Sequence, residues 1–174
     1  MSQRVRHLLE SMYNKSYLRM CESWGARKGS VNCFARLREE LQLSQLRRKI
    51  PSLVVQIWSR HSRVTFYSGS QLQPLKTRQS PNMLFEIEGN LDPDNTEPIQ
   101  ANMESGGISI LDSRLCFTIE EGSAIMFGFS AEGENVQAGN IRIEKVPELE
   151  EMVNQINAVS ESIAMDFVYM NPDR

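Results

Sequence analysis

The segment SLVVQIWSRHSRVTFY, residues 52–67, gives the clearest indication of the fold. In residues 52–58, apolar side chains occupy both phases of a period-two pattern, and RVTFY at 63–67 repeats that period. A period of two is typical of a β-strand. The four residues between them, SRHS at 59–62, have the length of a hairpin loop. The segment therefore predicts two strands joined by a hairpin.

Further segments of strand composition follow at the short, regular spacing typical of an antiparallel sandwich or barrel. They are residues 83–88, 107–111, 115–119, 124–130 and 140–146. Residues 68–82 and 89–105 are polar and contain prolines, so we expect surface loops there. Residues 165–169 alternate again and predict an edge strand near the end of the chain.

Two helices are predicted before the first strand, and one is predicted after the strands. The first covers residues 3–24, on the helical spacing of its apolar residues. The second begins near Ser30 or Asn32, both favourable N-caps, and ends before Pro51. The third begins at Pro147. Its buried stripe is predicted to consist of Leu149, Met152, Val153, Ile156, Val159 and Ile163.

These elements predict an α+β fold, in which N-terminal helices pack on a mainly antiparallel sandwich-like or barrel-like sheet and a C-terminal helix follows. The chain has 174 residues, the length of one domain. We expect a basic helical region over residues 1–50 and a β domain over residues 51–174, which fold as one cooperative unit.

Charge is distributed unevenly along the chain. Residues 1–80 carry 15 Lys and Arg against 4 Asp and Glu, whereas residues 81–174 carry 4 against 18. Such asymmetry indicates an anionic partner for the basic half. That partner is the chain's own acidic half, the phosphates of nucleic acid or lipid, or the acidic half of another copy. The last arrangement is a heterologous contact that builds rings or filaments.

Single-stranded nucleic acid, bare or as nucleoprotein, is the external partner that the basic half favours. Aromatic residues lie among its later cations, and bases stack on aromatic rings with little dependence on sequence. The aromatic candidates are Trp58, Phe66 and Tyr67, although the phase of Phe66 also suits a core position. The candidate phosphate-binding residues are Arg27, Lys28, Arg36, Arg38, Arg47, Arg48, Lys49, Arg60, Arg63, Lys76 and Arg78.

Residue patterns for catalysis or metal binding are scarce. The chain has two histidines, His7 and His61, and contains no HExxH helix, paired CxxC, phosphate-binding glycine loop or GxSxG elbow. Cys116 lies in a predicted strand, which favours an inert packed thiol over a nucleophile. The carboxylates between Glu86 and Asp94 lack the spacing of an EF-hand. We therefore expect a non-enzymatic protein without a metal or cofactor.

The same sequence indicates an intracellular protein. Its three cysteines are scattered and odd in number, which favours reduced thiols. No apolar run approaches the roughly 18 residues needed to cross a bilayer, and residues 1–10 do not form a secretory signal. We expect the protein in the cytoplasm or nucleus, with peripheral contact to a membrane surface left open.

Residues 106–115, GGISILDSRL, form a local motif in which a glycine pair enters a strand and an Asp-x-Arg sequence closes it. This motif resembles the signature region of the 30K movement-protein superfamily of plant viruses. The matching positions are Gly107, Ile108, Ser109, Ile110, Asp112, Arg114 and Leu115. The resemblance covers about ten residues closely and residues 83–160 loosely. A local alternative is a turn at Asp112 in which Arg114 pairs with that carboxylate or points to solvent.

The resemblance implies a non-enzymatic protein with a jelly-roll-like core that binds single-stranded nucleic acid or nucleoprotein. It also implies action at membranes and cell–cell channels of a host cell, with Asp112 structurally essential. Charge and size leave two other functions open. One is a viral matrix or capsid-like protein that self-associates through basic and acidic faces, and the other is a host protein–protein interaction domain. A homo-oligomer is expected in the first two cases.

Overall fold

The structure is a computed structural model that describes residues 3–35, 52–80, 84–131, 141–159, 162–165 and 167–170. It is mostly β. Within these ranges it has two α-helices, α1 (Gln3–Met12) and α2 (Pro147–Val159), and a 3-10 turn at Ser70–Leu72. The strands are β1 (Ser16–Gly25), β2 (Asn32–Cys33), β3 (Ser52–Trp58), β4 (Ser62–Ser68), β5 (Thr77–Gln79), β6 (Phe85–Ile87), β7 (Glu97–Met103), β8 (Gly107–Asp112), β9 (Cys116–Glu121), β10 (Ser123–Ala131), β11 (Ile141–Glu144), β12 (Ile163–Met165) and β13 (Phe167–Met170).

The chain forms two compact units, one of Met1–Cys21 with Phe127–Arg174 and one of Glu22–Met126. In the first unit, β1 begins parallel to β12, and β11 pairs in parallel with β13. The Ser16 amide donates a hydrogen bond of 2.7 Å to the Ser162 carbonyl. The Ser162 hydroxyl in turn donates to Glu10 Oε1 at 2.9 Å. These two bonds link α1 and the start of β1 to the residue before β12.

The second unit contains two sheets. In the first, which we call the front sheet, β3 lies between β10 and β8 and pairs with β8 in antiparallel register. The second, or back sheet, has the order β5-β6-β2-β9-β4-β7. Each neighbouring pair in the back sheet is antiparallel. The mainly antiparallel character predicted for this part of the chain is therefore confirmed.

Side chains from the front and back sheets share one core. Val54 of β3, Val64 of β4 and Phe117 of β9 are fully buried. The edge of the Trp58 ring on β3 meets the Phe66 ring on β4, with centroids 6.3 Å apart. Two sheets that pack inner face to inner face form a sandwich. The predicted combination of helices with a sheet sandwich is confirmed at this level.

The predicted hairpin between β3 and β4 is wrong. The two strands are consecutive in sequence, but β3 belongs to the front sheet and β4 to the back sheet. The connection at residues 59–61 crosses the sandwich edge, and His61 takes φ 61° to make the turn. A short polar loop between period-two segments is equally compatible with turning within one sheet or between two, so local sequence does not separate these cases.

The N-terminal helices also differ from their prediction. Helix α1 ends at Met12, and residues 16–25 form β1 instead of continuing the helix. Asn32 does not begin a helix, because it lies in β2 opposite Phe117 of β9. Strand partners that are remote in sequence override local helix preference in both segments. The remainder of the predicted second helix, residues 36–50, lies outside the described residues, as does the boundary predicted at residue 50.

A strand occupies part of the segment predicted as a surface loop at residues 89–105. This strand, β7, is the outermost strand of the back sheet and pairs with β4. Most of its residues are exposed, and they include Pro98, a residue tolerated on strand edges. A strand with solvent on both faces has no period-two apolar pattern, which explains why the sequence did not reveal it.

The C-terminal helix prediction is confirmed, because α2 begins at Pro147 with Glu148 and Glu150 in its first turn. Carboxylates at that position interact favourably with the helix dipole. Within the predicted apolar stripe, Val153 is buried but Met152 is 56% exposed, so the assignment of Met152 is wrong. Ile163 lies beyond the helix, in β12. Neither described helix has the length and apolar character needed to cross a membrane.

Candidate functional site

Three connections of the second unit meet at one end of its sandwich. The Ala26 amide donates to the Gly122 carbonyl at 3.0 Å, and the Ser59 amide donates to the Ser123 carbonyl at 2.9 Å. We call residues 26–29, 59–61 and 121–123 the loop cluster. Backbone hydrogen bonds hold the loop cluster together, so the backbone positions from which its side chains project are fixed.

Gly122 allows this close approach of the connections. Its φ is 78°, and a Cβ placed on it would lie 2.2 Å from Ser62 Oγ and 2.8 Å from Ser62 Cα. Only glycine accepts both the left-handed conformation and that contact. The turn at Glu121-Gly122 connects β9 of the back sheet to β10 of the front sheet.

Three predicted phosphate-binding residues project from the loop cluster. Arg27, Lys28 and Arg60 are exposed. Within the described part of the chain, none of the three has an ion pair within 4.0 Å. The connections that carry these cations meet at one end of the unit. No described carboxylate neutralises their charge by direct contact.

Arg63 is different, because its charge is used inside the protein. Its guanidinium contacts Glu120 at 2.7 Å and Glu121 at 2.9 Å across the β4–β9 pair. The Thr65 hydroxyl also donates to Glu120. This hydrogen bond first, and then the contacts with Arg63, hold the pKa of the Glu120 carboxyl below its ordinary value. The assignment of Arg63 as a phosphate-binding residue is therefore not supported.

The last two described candidates lie on and before β5. Arg78 pairs with Glu86 on β6 at 2.9 Å. Arg78, and then the hydroxyl of Ser30, lower the pKa of the Glu86 carboxyl. Lys76 is exposed and has no described ion pair. The other predicted phosphate-binding residues lie outside the described residues, and they are Arg36, Arg38, Arg47, Arg48 and Lys49.

The aromatic residues do not form a stacking surface beside these cations. Trp58 is 3% exposed, and its indole N–H donates to Ser109 Oγ at 2.9 Å. Phe66 packs against it inside the sandwich. Tyr67 is half-buried, and its hydroxyl lies 3.3 Å from Thr118 Oγ1. The expectation that Trp58 stacks on bases is wrong, because its ring belongs to the core.

The motif residues Asp112 and Arg114 form a buried ion pair at the β8–β9 turn. Arg114 is 6% exposed, and two of its guanidinium nitrogens donate to the Asp112 carboxylate, one of them at 2.9 Å. The Arg114 amide also donates to Asp112 Oδ1 at 2.9 Å. Of the local alternatives, pairing is the arrangement found. The pair is enclosed, and its hydrogen bonds fix the turn.

Gly107, the motif glycine that enters the strand, begins β8 opposite Trp58. A Cβ at this position would lie 2.6 Å from Met103 Sδ, the flexible end of a side chain. The glycine thus sits where β7 and β8 come close after the turn between them. Gly107, Asp112 and Arg114 present no exposed reactive group, which fits a structural role.

A feature that the sequence analysis missed is an apolar surface on the outside of the front sheet. Its members, which we call the isoleucine face, are Ile57, Ile108, Ile110 and Ile125, with exposures of 44%, 55%, 37% and 46%. Ile57 lies opposite Ile108 in the β3–β8 register. Apolar residues in both phases of β3 were a usable signal, since only one phase can fill the core between the two sheets.

Cys33 and Cys116 lie opposite each other on neighbouring strands. The register that pairs Asn32 with Phe117 brings the two cysteines together one position along, and both are buried. The hydrogen bond with Cys116, and then burial, raise the pKa of the Cys33 thiol. A thiol held protonated in a core is a poor nucleophile. Burial of Cys116, as expected for a packed thiol, is confirmed.

Thiol accessibility provides a direct test of this core. We expect iodoacetamide to modify the exposed Cys21 in the folded protein, while Cys33 and Cys116 stay unmodified until urea unfolds the chain. The reason is that buried thiols cannot meet the reagent. Mass spectrometry of peptides after timed alkylation measures each site. Equal modification of all three cysteines without urea would contradict the described packing.

The described residues contain no group of three or more His, Cys, Asp or Glu side chains placed to hold a metal ion. His7 and His61 are both exposed and lie on α1 and in the loop cluster, respectively. The resemblance to the 30K movement-protein superfamily stays a prediction. No protein-family model and no curated protein matches this chain.

Proposed function

We propose that this chain is a non-enzymatic binding protein that contacts single-stranded nucleic acid or nucleoprotein through the loop cluster. The observation that supports the proposal is the group of exposed cations at one end of the second unit, Arg27, Lys28 and Arg60. The carboxylates of Glu120 and Glu121 beside them are already paired with Arg63. Cations without such a partner attract phosphates, and binding then releases condensed counterions.

The same geometry narrows the mode of binding. Phosphate contacts position a nucleic acid but carry no sequence information. Since Trp58 and Phe66 are occupied in the core, the described part of the interface offers cations without stacking rings. We therefore expect binding that depends strongly on salt and weakly on base sequence. Lys76 is the one other described candidate that has no described ion pair.

The wider proposal keeps what the motif at residues 106–115 implies. It places the protein in a virus-infected host cell, as a movement-protein-like component with peripheral membrane contact. The burial of the Asp112–Arg114 pair supports only the structural part of this wider proposal.

Anisotropy of a fluorescent single-stranded RNA, titrated at several salt concentrations, tests the proposed contact. The variant Arg27→Gln/Lys28→Gln/Arg60→Gln removes the three cations. If each neutralises one phosphate, the slope of log K against log salt becomes less steep by about 2. The affinity at low salt falls accordingly.

A matched control removes three exposed cations elsewhere, as Arg4→Gln/Arg142→Gln/Lys145→Gln. This control has the same net charge as the test variant, so general electrostatic attraction changes equally in both. A slope change confined to the loop-cluster variant supports the proposal. Equal slopes for the two variants, or no RNA binding by the parent protein at low salt, would refute it.

A second candidate function is self-association as a matrix-like or capsid-like structural protein. The isoleucine face favours it, because exposed apolar patches commonly mark protein contacts. The charge asymmetry suggested a contact between basic and acidic faces, which salt would weaken. An apolar contact persists as salt rises. Light scattering across a salt series therefore separates the two routes, and a host interaction domain would show neither.

A further inference from the structure

The outer edge of the front sheet is formed by β8. In the described part of the chain, β8 pairs with β3 over six residues, from Gly107 opposite Trp58 to Asp112 opposite Leu53. It has no described strand on its other side. An edge strand presents unpaired backbone N–H and C=O groups, to which another extended strand can bond.

The usual protections of an edge strand are missing from β8. Natural edges carry inward-pointing or exposed charges, prolines or bulges that prevent pairing with a second chain. Residues 107–111 read GISIL and hold no charge or proline. The register with β3 continues without a shift. The only charged residue of the strand, Asp112, is paired with Arg114.

The edge is continuous with the isoleucine face. Ile108 and Ile110 of β8 lie opposite Ile57 and Val55 of β3. On the inner side of the sheet, the side-chain amide of Gln56 on β3 donates to Met126 Sδ on β10 at 3.6 Å. Ile125, one position before Met126, therefore points to the outer side together with Ile57. The apolar surface thus reaches the exposed edge without interruption.

We infer that β8 pairs with β8 of a second copy, extending the front sheet across a two-fold axis. An antiparallel pair centred on Ser109 brings Ile108 of each copy opposite Ile110 of the other, with all four side chains on one face. A shift by one residue would separate the two isoleucine faces onto opposite sides. The contact is isologous, as closed dimers require.

Charge also suits this occupant. In the register centred on Ser109, Asp112 of one copy falls opposite Gly106 of the other, so no like charges oppose each other. A basic or acidic peptide would find no complementary charge along residues 107–111. The uncharged strand is complementary to itself, with matched apolar side chains and matched backbone groups.

The expected dimer is weak. Edge pairing covers two isoleucines and a short backbone segment from each copy, much less than the roughly 1,200 Å² that stable interfaces bury at minimum. A contact of this size forms reversibly and is populated at micromolar or higher protein concentration. The inference does not depend on nucleic-acid binding, because the loop cluster and β8 use different residues.

Sedimentation velocity over a concentration series tests the inference. The parent protein is expected to pass from monomer to dimer, and Ile108→Lys is expected to remain monomeric because a charge now lies at the two-fold contact. The matched control is Ile99→Lys on β7, where the parent isoleucine is 49% exposed in the other sheet. Circular dichroism confirms that each variant folds, as expected for exposed positions.

A parent protein that stays monomeric at all concentrations would overturn the inference. So would loss of the dimer in Ile99→Lys, which would indicate pairing through β7. Ile57→Lys separates edge pairing from packing of two isoleucine faces, since Ile57 lies on β3 away from the edge. Equal disruption by Ile57→Lys and Ile108→Lys would indicate face packing and refute edge pairing.

Cross-linking tests the register independently. In a Cys21→Ser background, Ile108→Cys and Ile110→Cys proteins are mixed and oxidised with diamide. The proposed register gives mixed 108–110 disulfides in excess over disulfides between identical positions, because opposed Cβ atoms lie about 4.5–5.5 Å apart. A random distribution of the three products would refute this register.

Discussion

Replacing Asp112 with Ala is expected to lower the free energy of unfolding by roughly 3–5 kcal/mol, the usual cost of leaving one partner of a buried ion pair alone. The stranded group is the guanidinium of Arg114, which is 6% exposed. The substitution also removes the acceptor of the Arg114 amide at 2.9 Å. Urea denaturation followed by circular dichroism measures the change.

Two controls locate the cause of this loss. The double variant Asp112→Ala/Arg114→Leu removes both charges and is expected to recover much of the stability, because buried pairs can often be replaced by apolar residues. Arg78→Ala breaks the exposed pair with Glu86 and is expected to change stability little. If Asp112→Ala costs no more than Arg78→Ala, the pair does not hold the turn.

The physical importance of Asp112 extends beyond its own ion pair. The residue after it, Ser113, accepts hydrogen bonds from the Phe34 and Ala35 amides, each at 2.9 Å. The Ser113 amide donates to the Ser52 carbonyl at 3.1 Å. The turn therefore joins β8 and β9 to the segment after β2 and to the start of β3. An unstable Asp112→Ala variant would follow from this geometry in any family, and so would not by itself identify one.

Local sequence was sufficient to predict the helices and strands whose conformation is determined by their own residues. The period-two run of β3, the segments of strand composition in β8 and β10, and the proline and acidic first turn of α2 all lie where the sequence predicted. It was insufficient where a remote partner decides the conformation. Residues 16–25 carry a mixed pattern, and their strand form depends on pairing that begins with Ser16 opposite Ile163.

The candidate site shows the same division. The sequence supplied every cation, but whether a cation is neutralised depends on strand register. Arg63 lies opposite Glu121, 58 positions later, and the β4–β9 pairing alone brings them together. Arg27 and Arg60 reach one region of the surface because the connections that carry them both bond to residues 122–123. Neither relation has a local signal.

The isoleucine face was missed for a related reason. Ile57 shares its phase with Leu53 and Val55, which are buried, so its phase alone does not mark it as exposed. Coverage ends partway along β3, leaving Ile57 exposed at 44%. An alternating pattern identifies the faces of a strand but not how far a neighbouring layer extends over each face.

Replacing Phe117 with Ala is expected to lower the free energy of unfolding by about 3–5 kcal/mol, the range for truncating a buried aromatic side chain. Phe117 is fully buried on β9. Its ring stacks on Phe34 with centroids 5.4 Å apart, and Phe34 stacks on Trp24 at 5.2 Å. The truncation therefore leaves a cavity and removes one end of an aromatic row.

The stacking of Phe117, Phe34 and Trp24 provides a second measurement, which distinguishes loss of this row from a general loss of packing. Trp24 is buried at its far end, so loosening of Phe34 should change the fluorescence of Trp24 in the folded variant, measured with Trp58 replaced by Phe. Phe117→Leu keeps most of the apolar volume and is expected to lose less stability than Phe117→Ala. Ile99→Ala, at an exposed position, controls for truncation itself. An Ala variant as stable as the Leu variant, with unchanged Trp24 fluorescence, would mean that Phe117 does not anchor the aromatic row.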